Sequence, residues 1–270
     1  MVSELALIDV NYICYRSYYG MRQLGANAVA FGVARFIEQL AQNTPQATVA
    51  WCFDVGGSKR AEAYTAYKEK RRKDLPPEEA QLFNELKSEI DALRTTHLPA
   101  MGFDNIYGAR GYEADDLIAL ICDRYPQRIK RIYSSDADLY QLIDENTQVC
   151  PLSKRPMSLL RFTTEYGIQP AKWAWVKAIA GCSSDNIPGV KGVGEKTALK
   201  FVRNELPEGS KQRQRIQESK DSVKRWHKLV KLPYEGTPVC EIVSDATVLD
   251  LRRSINAYLK NELNISEVTV

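Results

Sequence analysis

Two short, almost continuously apolar runs, "ELALIDV" (4–10) and "ATVAWCFD" (47–54), constrain this chain most, and "IKRIYSSD" (129–136) reads as a third strand. Runs so short and so apolar read as strands buried on both faces. Between them lie helical patterns. "AVAFGVARFIEQLAQN" (28–43) aligns Val29, Val33, Phe36, Ile37 and Leu40 on one face. "EEAQLFNELKSEIDALR" (78–94) follows the break at Pro76 and Pro77, and "GYEADDLIALICDRY" (111–125) turns Ala114, Leu117, Ile118 and Ile121 inward. The basic run 59–73 also reads as helical. Strands alternating with helices predict an α/β fold around a mostly parallel sheet. From about residue 158 the pattern is helical, so we expect an α/β domain over 1–157 and a smaller helical subdomain over 158–270, with no clean linker between them.

Open α/β sheets place their sites outside the carboxyl ends of the strands, and acids sit there in this sequence. Asp9 closes the first run, Asp54 the second, and Asp136 and Asp138 follow the third, while Glu113, Asp115 and Asp116 open a helix. Each has an ordinary explanation alone: acids in a first helical turn suit the macrodipole, and an aspartate at a strand end suits a turn. Their recurrence at successive strand ends favours another reading. Carboxylates converging on one edge repel unless cations neutralise them, and ligation by oxygen alone selects hard ions, Mg²⁺ or Mn²⁺. Asp136 and Asp138, two apart, would point the same way in extended chain.

Net charge is only +3, but its distribution is uneven. "KRAEAYTAYKEKRRK" (59–73) holds seven Lys/Arg against two Glu, with Tyr64 and Tyr67 between them, and 211–231 holds eight against two acids. Such runs suit either two solvated helix faces or a surface for a polyanion. The six cysteines, at 14, 52, 122, 150, 182 and 240, form no Cys-x-x-Cys pair, and only His97 and His227 could join them, which argues against a zinc site. Neither histidine lies near an acid cluster, so no Ser/His/Asp or Cys/His triad is expected. No run approaches the roughly 20 apolar residues of a membrane span, and "MVSELALIDVNY" has no basic region of a secretory signal, so the expectation is a cytoplasmic protein.

"GCSSDNIPGVKGVGEKTALKF" (181–201) crowds glycines, a proline and lysines together. "GVKGVGEKTALKF" fits a helix–hairpin–helix: the hairpin Gly192-Val193-Gly194, then a helix from near Glu195. Hairpin amides and a helix N-terminus can hold phosphate oxygens without reading bases, and Lys191 and Lys196 add charge. With "GYEADDLIA" (111–119), "SSDADLYQL" (134–142) and "SDNIPGVKGVGEKTA" (184–198), and with "LIDVNYICYR" (7–16) and "FDVGGSKRAEAYTAYKEKRR" (53–72) in order, the chain resembles the structure-specific 5′-nucleases along nearly its whole length. That family comprises flap endonucleases, phage 5′–3′ exonucleases and the N-terminal nuclease domain of bacterial DNA polymerase I.

The resemblance implies a PIN-like α/β core, a helical arch at about 59–95 and a helix–hairpin–helix at about 184–205. It implies a Mg²⁺-dependent nuclease, with Mn²⁺ able to substitute, cutting DNA near 5′ ends, flaps or branches. Asp9, Asp54, Glu113, Asp115 and Asp116 would hold a first metal, with Asp136 shared and Asp138 and Asp185 on a second. Lys68 and Arg71 would steady the scissile phosphate. Tyr64 and Tyr67 would stack on bases, and Arg16 and Arg60 would contact phosphates. Lys191, Gly192, Gly194, Lys196 and Thr197 would grip duplex DNA, with K⁺ at the hairpin. A monomer in a bacterial cell or phage-infected host is implied. The departure is Cys182, where the family carries an aspartate of the second metal; a thiol is a poor partner for Mg²⁺. Two alternatives remain open: a branched-DNA-binding protein with one metal and little turnover, and a nuclease removing RNA primers from RNA/DNA hybrid.

Overall fold

The structure, a computed structural model, describes residues 4–21, 28–69, 76–262 and 264. Arg71 and the rest of 70–75 lie outside the described residues. The strands are β1 (Glu4–Asp9), β2 (Ala47–Phe53), β3 (Ile106–Gly108), β4 (Lys130–Tyr133) and β5 (Thr147–Val149), ordered β3-β2-β1-β4-β5. All pairings are parallel, with Leu7 opposite Ala50 on one side and Ile132 on the other. The three sequence-predicted strands are β1, β2 and β4. The two edge strands have only three residues each, too few for any hydrophobic period to register.

Period-two geometry divides β1 between two cores. Leu5 and Leu7 join Ala50, Cys52, Ile132 and Val149 on one face, while Ala6 and Ile8 join Val49, Trp51, Phe53 and Tyr133 on the other. The second face is covered by α1 (Val10–Gly20), α2 (Ala28–Asn43) and α4 (Pro77–Ala92), with a π turn at Leu93–His97 and the short α5 (Leu98–Ala100). The first is covered by α6 (Ala114–Arg124), α7 (Leu159–Tyr166), α8 (Trp173–Ala180), α9 (Glu195–Val202), α10 (Lys211–Glu218) and α11 (Lys220–Val230). The chain after 158 does not stay on that face. An extended strap over 233–247 bridges antiparallel from Thr247 to Thr48 of β2, and α12 (Val248–Glu262) buries Val248, Ile255 and Leu259 in the opposite core, beside α2.

The basic run departs from its expected helix. Among its described residues, 59–69, the α-helix is confined to α3 (Lys59–Ala63), capped by the Ser58 hydroxyl. Beyond it the chain makes isolated turns, Tyr67 N donating to Tyr64 O at 2.8 Å, and is tied to the loop after α8: Lys68 N donates to Asp185 O at 3.0 Å and Asn186 Nδ2 to Ala66 O at 2.8 Å. Lys68 adopts φ +53°, which ends any helix.

That loop is held tightly. Cys182 and Ile187 exchange two backbone hydrogen bonds of 2.9 Å, and Val190 N donates to Ile179 O at 2.8 Å. Gly189, at φ +64°, packs so closely that a Cβ would lie 2.4 Å from the carbonyl carbon of Ala180 and the nitrogen of Gly181. Backbone cannot retreat as a flexible side chain can. Gly189→Ala should therefore destabilise the protein by about 1–3 kcal/mol, read from the midpoint of urea unfolding.

Candidate active site

The parallel sheet brings its carboxyl ends to one edge, where a cavity of about 720 Å³ is lined by Asp9, Asp54, Glu113, Asp115 and Asp136 together with Arg16, Lys68, Tyr15 and Tyr19. Asp9 ends β1 and caps α1, accepting from Tyr12 N at 3.1 Å and from the Ser134 hydroxyl at 2.7 Å. Asp54 follows β2 and accepts from Ala114 N at 2.7 Å, tying it to the start of α6. Asp115 projects from the first turn of α6. Asp136 follows β4 and caps a 3₁₀ turn, Ala137–Leu142, its carboxylate accepting from Asp138 N at 2.8 Å. The chain there is turned rather than extended. Asp136 accordingly stays at the cavity while Asp138 is buried against Lys177.

Burial and mutual repulsion act on these acids together. Burial first, then the charges of Asp54 and Asp136, push Asp9 up to about 7 against the opposing hydrogen bonds of Ser134 and Tyr12. Asp115 is held well above the ordinary carboxylate range by burial and by Asp136, Asp9, Glu113 and Asp54. Among the described residues, no lysine or arginine forms an ion pair with Asp9, Asp54, Asp115 or Asp136. An oxygen-only set under this repulsion fits a hard divalent ion.

Several expected site residues lie elsewhere. Asp116 is 0% exposed, and its carboxylate receives four donors: Arg60 Nη1 and Nη2 at 2.6 Å each, Glu113 N at 3.1 Å and Tyr234 N at 2.8 Å. It has no free direction for a metal. Arg60 is 3% exposed and also donates through Nε to Leu229 O at 2.7 Å, so it cannot reach a phosphate at the surface. Tyr67, 5% exposed, directs its hydroxyl to Glu113 at 3.1 Å, and its buried ring cannot stack on a base. Tyr64 is half-buried against the same core. Glu113 is engaged by Lys68 Nζ at 2.6 Å.

Asp138, Cys182 and Asp185 form a second, compact group whose ligand atoms all lie within 4.8 Å of one another. Burial first, then the Asp185 and Asp138 carboxylates, hold the Cys182 thiol above its ordinary pKa, with Ser184 and Lys177 opposing. Lys177 was absent from the sequence expectations, although a signal existed: it is the only charged residue in the helix "WAWVKAIA". A lone lysine in an apolar helix calls for a buried counter-charge. Ser134 left no such signal.

A family model described as the 5′-3′ exonuclease N-terminal resolvase-like domain matches residues 4–168. A 5′-3′ exonuclease of Aquifex aeolicus is 31% identical over 248 residues, which cover 86% of this chain and 82% of that protein. A thermostable DNA polymerase I of Thermus thermophilus is 32% identical over 211 residues, 74% of this chain but 24% of the polymerase, so the chain spans about a quarter of such relatives. Among solved structures, the fold matches T5 5′-exonuclease with bound divalent metal ions (zinc), at TM-score 0.75 and 22% identity over 98% of this chain and 99% of that one. It also matches human GEN1 in complex with Holliday junction DNA, at TM-score 0.59 and 13% identity over 97% and 68%. The chain belongs to the 5′-3′ exonuclease family. No described helix is long and apolar enough to cross a membrane.

Two outcomes test this geometry. Arg60→Ala would leave Asp116 buried and unpaired, a change expected to cost about 3–5 kcal/mol in denaturant unfolding. The second concerns pH. A carboxyl whose folded pKa is raised stabilises the fold below its unfolded value, and that contribution is lost as pH rises through the folded value. With Asp9 at about 7, chelator-treated protein should lose this contribution between about pH 4 and 7. An ion on the carboxylates replaces the lost protons, so the melting-temperature gain from Mg²⁺ over chelator should grow across that window. A gain independent of pH would contradict the arrangement.

Proposed function

We propose that this chain is a Mg²⁺-dependent, structure-specific 5′ nuclease that hydrolyses DNA phosphodiesters near 5′ ends, flaps or branch points in replication and repair. The observation that carries the reading is the convergence of Asp9, Asp54, Asp115 and Asp136 on one open cavity without an ion-pair partner among the described residues. A divalent ion held by these oxygens, Mg²⁺ or in its place Mn²⁺, would supply Lewis-acid charge to a phosphodiester and acidify a nearby water. The chain's own groups then orient the substrate. Arg16 and Lys68 give the cavity wall positive charge for the phosphate. Tyr19, 60% exposed, and Tyr15 stack 6.4 Å apart at an interplanar angle of 23° and offer an aromatic surface to an unpaired base.

The arch reading is supported by α4, whose Phe83, Lys87, Ile90 and Asp91 line a further cavity of about 570 Å³ that shares Asp54, Lys68 and Glu113 with the first. Arg71 is proposed as a phosphate contact on the same segment. The helix–hairpin–helix is supported by the packing of α8 on α9 and by the exposed turn between them, with Gly192 at φ +76° and Lys191, Gly194 and Lys196 on the surface. Together with Thr197, and with K⁺ at the turn, it would hold duplex backbone without reading sequence. On this reading the partner is DNA, the protein acts as a monomer in the cytoplasm, and the segment from about 158 forms the duplex-holding part.

Asp136→Asn tests the assignment, because Asp136 faces the cavity and an asparagine oxygen can still accept from Asp138 N. It should lower Mg²⁺-dependent cleavage of a 5′-labelled flap by about 10²-fold or more while binding persists or tightens. Cleavage at the parent rate would reject the site. Matched DNA flap and RNA/DNA hybrid substrates would distinguish DNA from RNA-primer specificity.

A further inference from the structure

Two carboxylate groups meet at this edge, and their charges are compensated differently. Asp138 Oδ1 lies 3.0 Å from Lys177 Nζ, whose side chain is mostly buried. Asp185 Oδ1 lies 3.8 Å from Lys68 Nζ, and its Oδ2 accepts from Cys182 Sγ at 3.4 Å, the sulfur also lying 2.9 Å from the Ser184 hydroxyl. Lys68 serves Glu113 as well, and Arg60 Nη1 lies 3.8 Å from the same carboxylate, so among the described residues these three carboxylates share two ammonium groups and a guanidinium. On the other side Asp9, Asp54, Asp115 and Asp136 share none among the described residues.

Spacing follows charge. The compensated group draws its ligand atoms to within 4.8 Å of one another, whereas the uncompensated acids line a wide cavity. A dication entering the compact group would have to displace Lys177 from Asp138, repel it at close range and accept a protonated thiol as a ligand. Hard ions bind thiols poorly even when these are ionised. The residues therefore do not fit a second Mg²⁺.

We propose that Lys177 supplies to Asp138, beside Asp185, the positive charge that a second divalent ion would bring, so that the protein holds one divalent ion, on the Asp9, Asp54, Asp115 and Asp136 side. Two features fix the ammonium. Its helix, α8, is packed by buried Trp173, Val176 and Ile179. Burial works against the charge of Lys177, but Asp138 more than offsets it, so the ammonium is held above its ordinary pKa. Cys182 completes the arrangement by adding no negative charge where a carboxylate would restore the demand for a metal.

The inference rests on the metal-dependent reading above, and the experiment separates the two. Mn²⁺ binding to the full chain is counted by electron paramagnetic resonance of the free ion, with melting curves confirming that each variant is folded. The parent should bind one Mn²⁺, with any second ion at least about tenfold weaker. The Lys177→Met/Cys182→Asp variant should bind two. Cys182→Asp alone, with Lys177 in place, should keep the second ion weak, and this arm decides the matter if the double variant fails to fold. Two comparably tight ions in the parent or in Cys182→Asp would overturn the role of Lys177, as would a folded double variant that still binds one. No ion bound to the parent would overturn the metal-dependent reading itself.

Discussion

Parallel pairing around β1 is the constraint on which everything else depends. A central strand with parallel neighbours on both sides sends every carboxyl end to the same edge. The residues that leave those ends include Asp9, Asp54 and Asp136. Hydrophobic burial fixes the register, because a slip by one residue would turn Leu5 and Leu7 into the opposite core. Like charges are thus brought together by apolar forces with no regard for their repulsion, and the rest of the structure has to settle that repulsion.

It does so in two ways, each with a different structural consequence. Neutral donors serve Asp9 and Asp54: the Ser134 hydroxyl and the amides of Tyr12 and Ala114 also lock β4, α1 and α6 to the sheet edge. Fixed cations serve Asp116, Glu113 and Asp138, and each brings a distant segment inward. Arg60 joins α3 to α6 and, through Leu229 O, to the end of α11, while its guanidinium lies 4.7 Å from the centroid of Tyr234. A buried ion pair adds little net stability, but breaking it is expensive, so such a pair is better understood as specifying which segments meet. The remaining acids, Asp115 and Asp136, have no ion-pair partner among the described residues and line the open cavity.

The sequence made the framework legible where the physics is local. Strand runs, the α2 period and the recurrence of acids at strand ends all follow from neighbours in the chain, and Asp9, Asp54, Asp115 and Asp136 were found that way. Long-range pairing is a different matter. Asp115 and Asp116 look equivalent in "EADD", yet a partner 56 residues away takes the second out of the cavity. Tyr67, set among basic residues, has the pattern of a stacking residue and the environment of a core residue. No local pattern could separate these, because the deciding contacts are tertiary. Lys177 was the exception: its isolation in an apolar helix was visible and pointed to a buried acid.

The same contacts explain how Lys68 is held at the cavity. Its left-handed backbone, φ +53°, costs about 1 kcal/mol or more in a residue with a Cβ, and such a conformation persists only where its surroundings impose it. Arg60 anchors the segment on one side. On the other, the amide of Lys68 is tied to Asp185 O, the Ala66 carbonyl is held by Asn186, and the ammonium is drawn to Glu113. The segment between these anchors is too short to relax independently of either. Its strain is therefore sustained by these hydrogen bonds and by the ion pairs that compensate the surrounding acids, and under the proposed function the lysine's charge is in place before a phosphate arrives. A cation positioned in advance need not be reorganised when charge develops on a substrate. Charge compensation at the sheet edge and preparation of the cavity wall are, in this fold, one set of contacts.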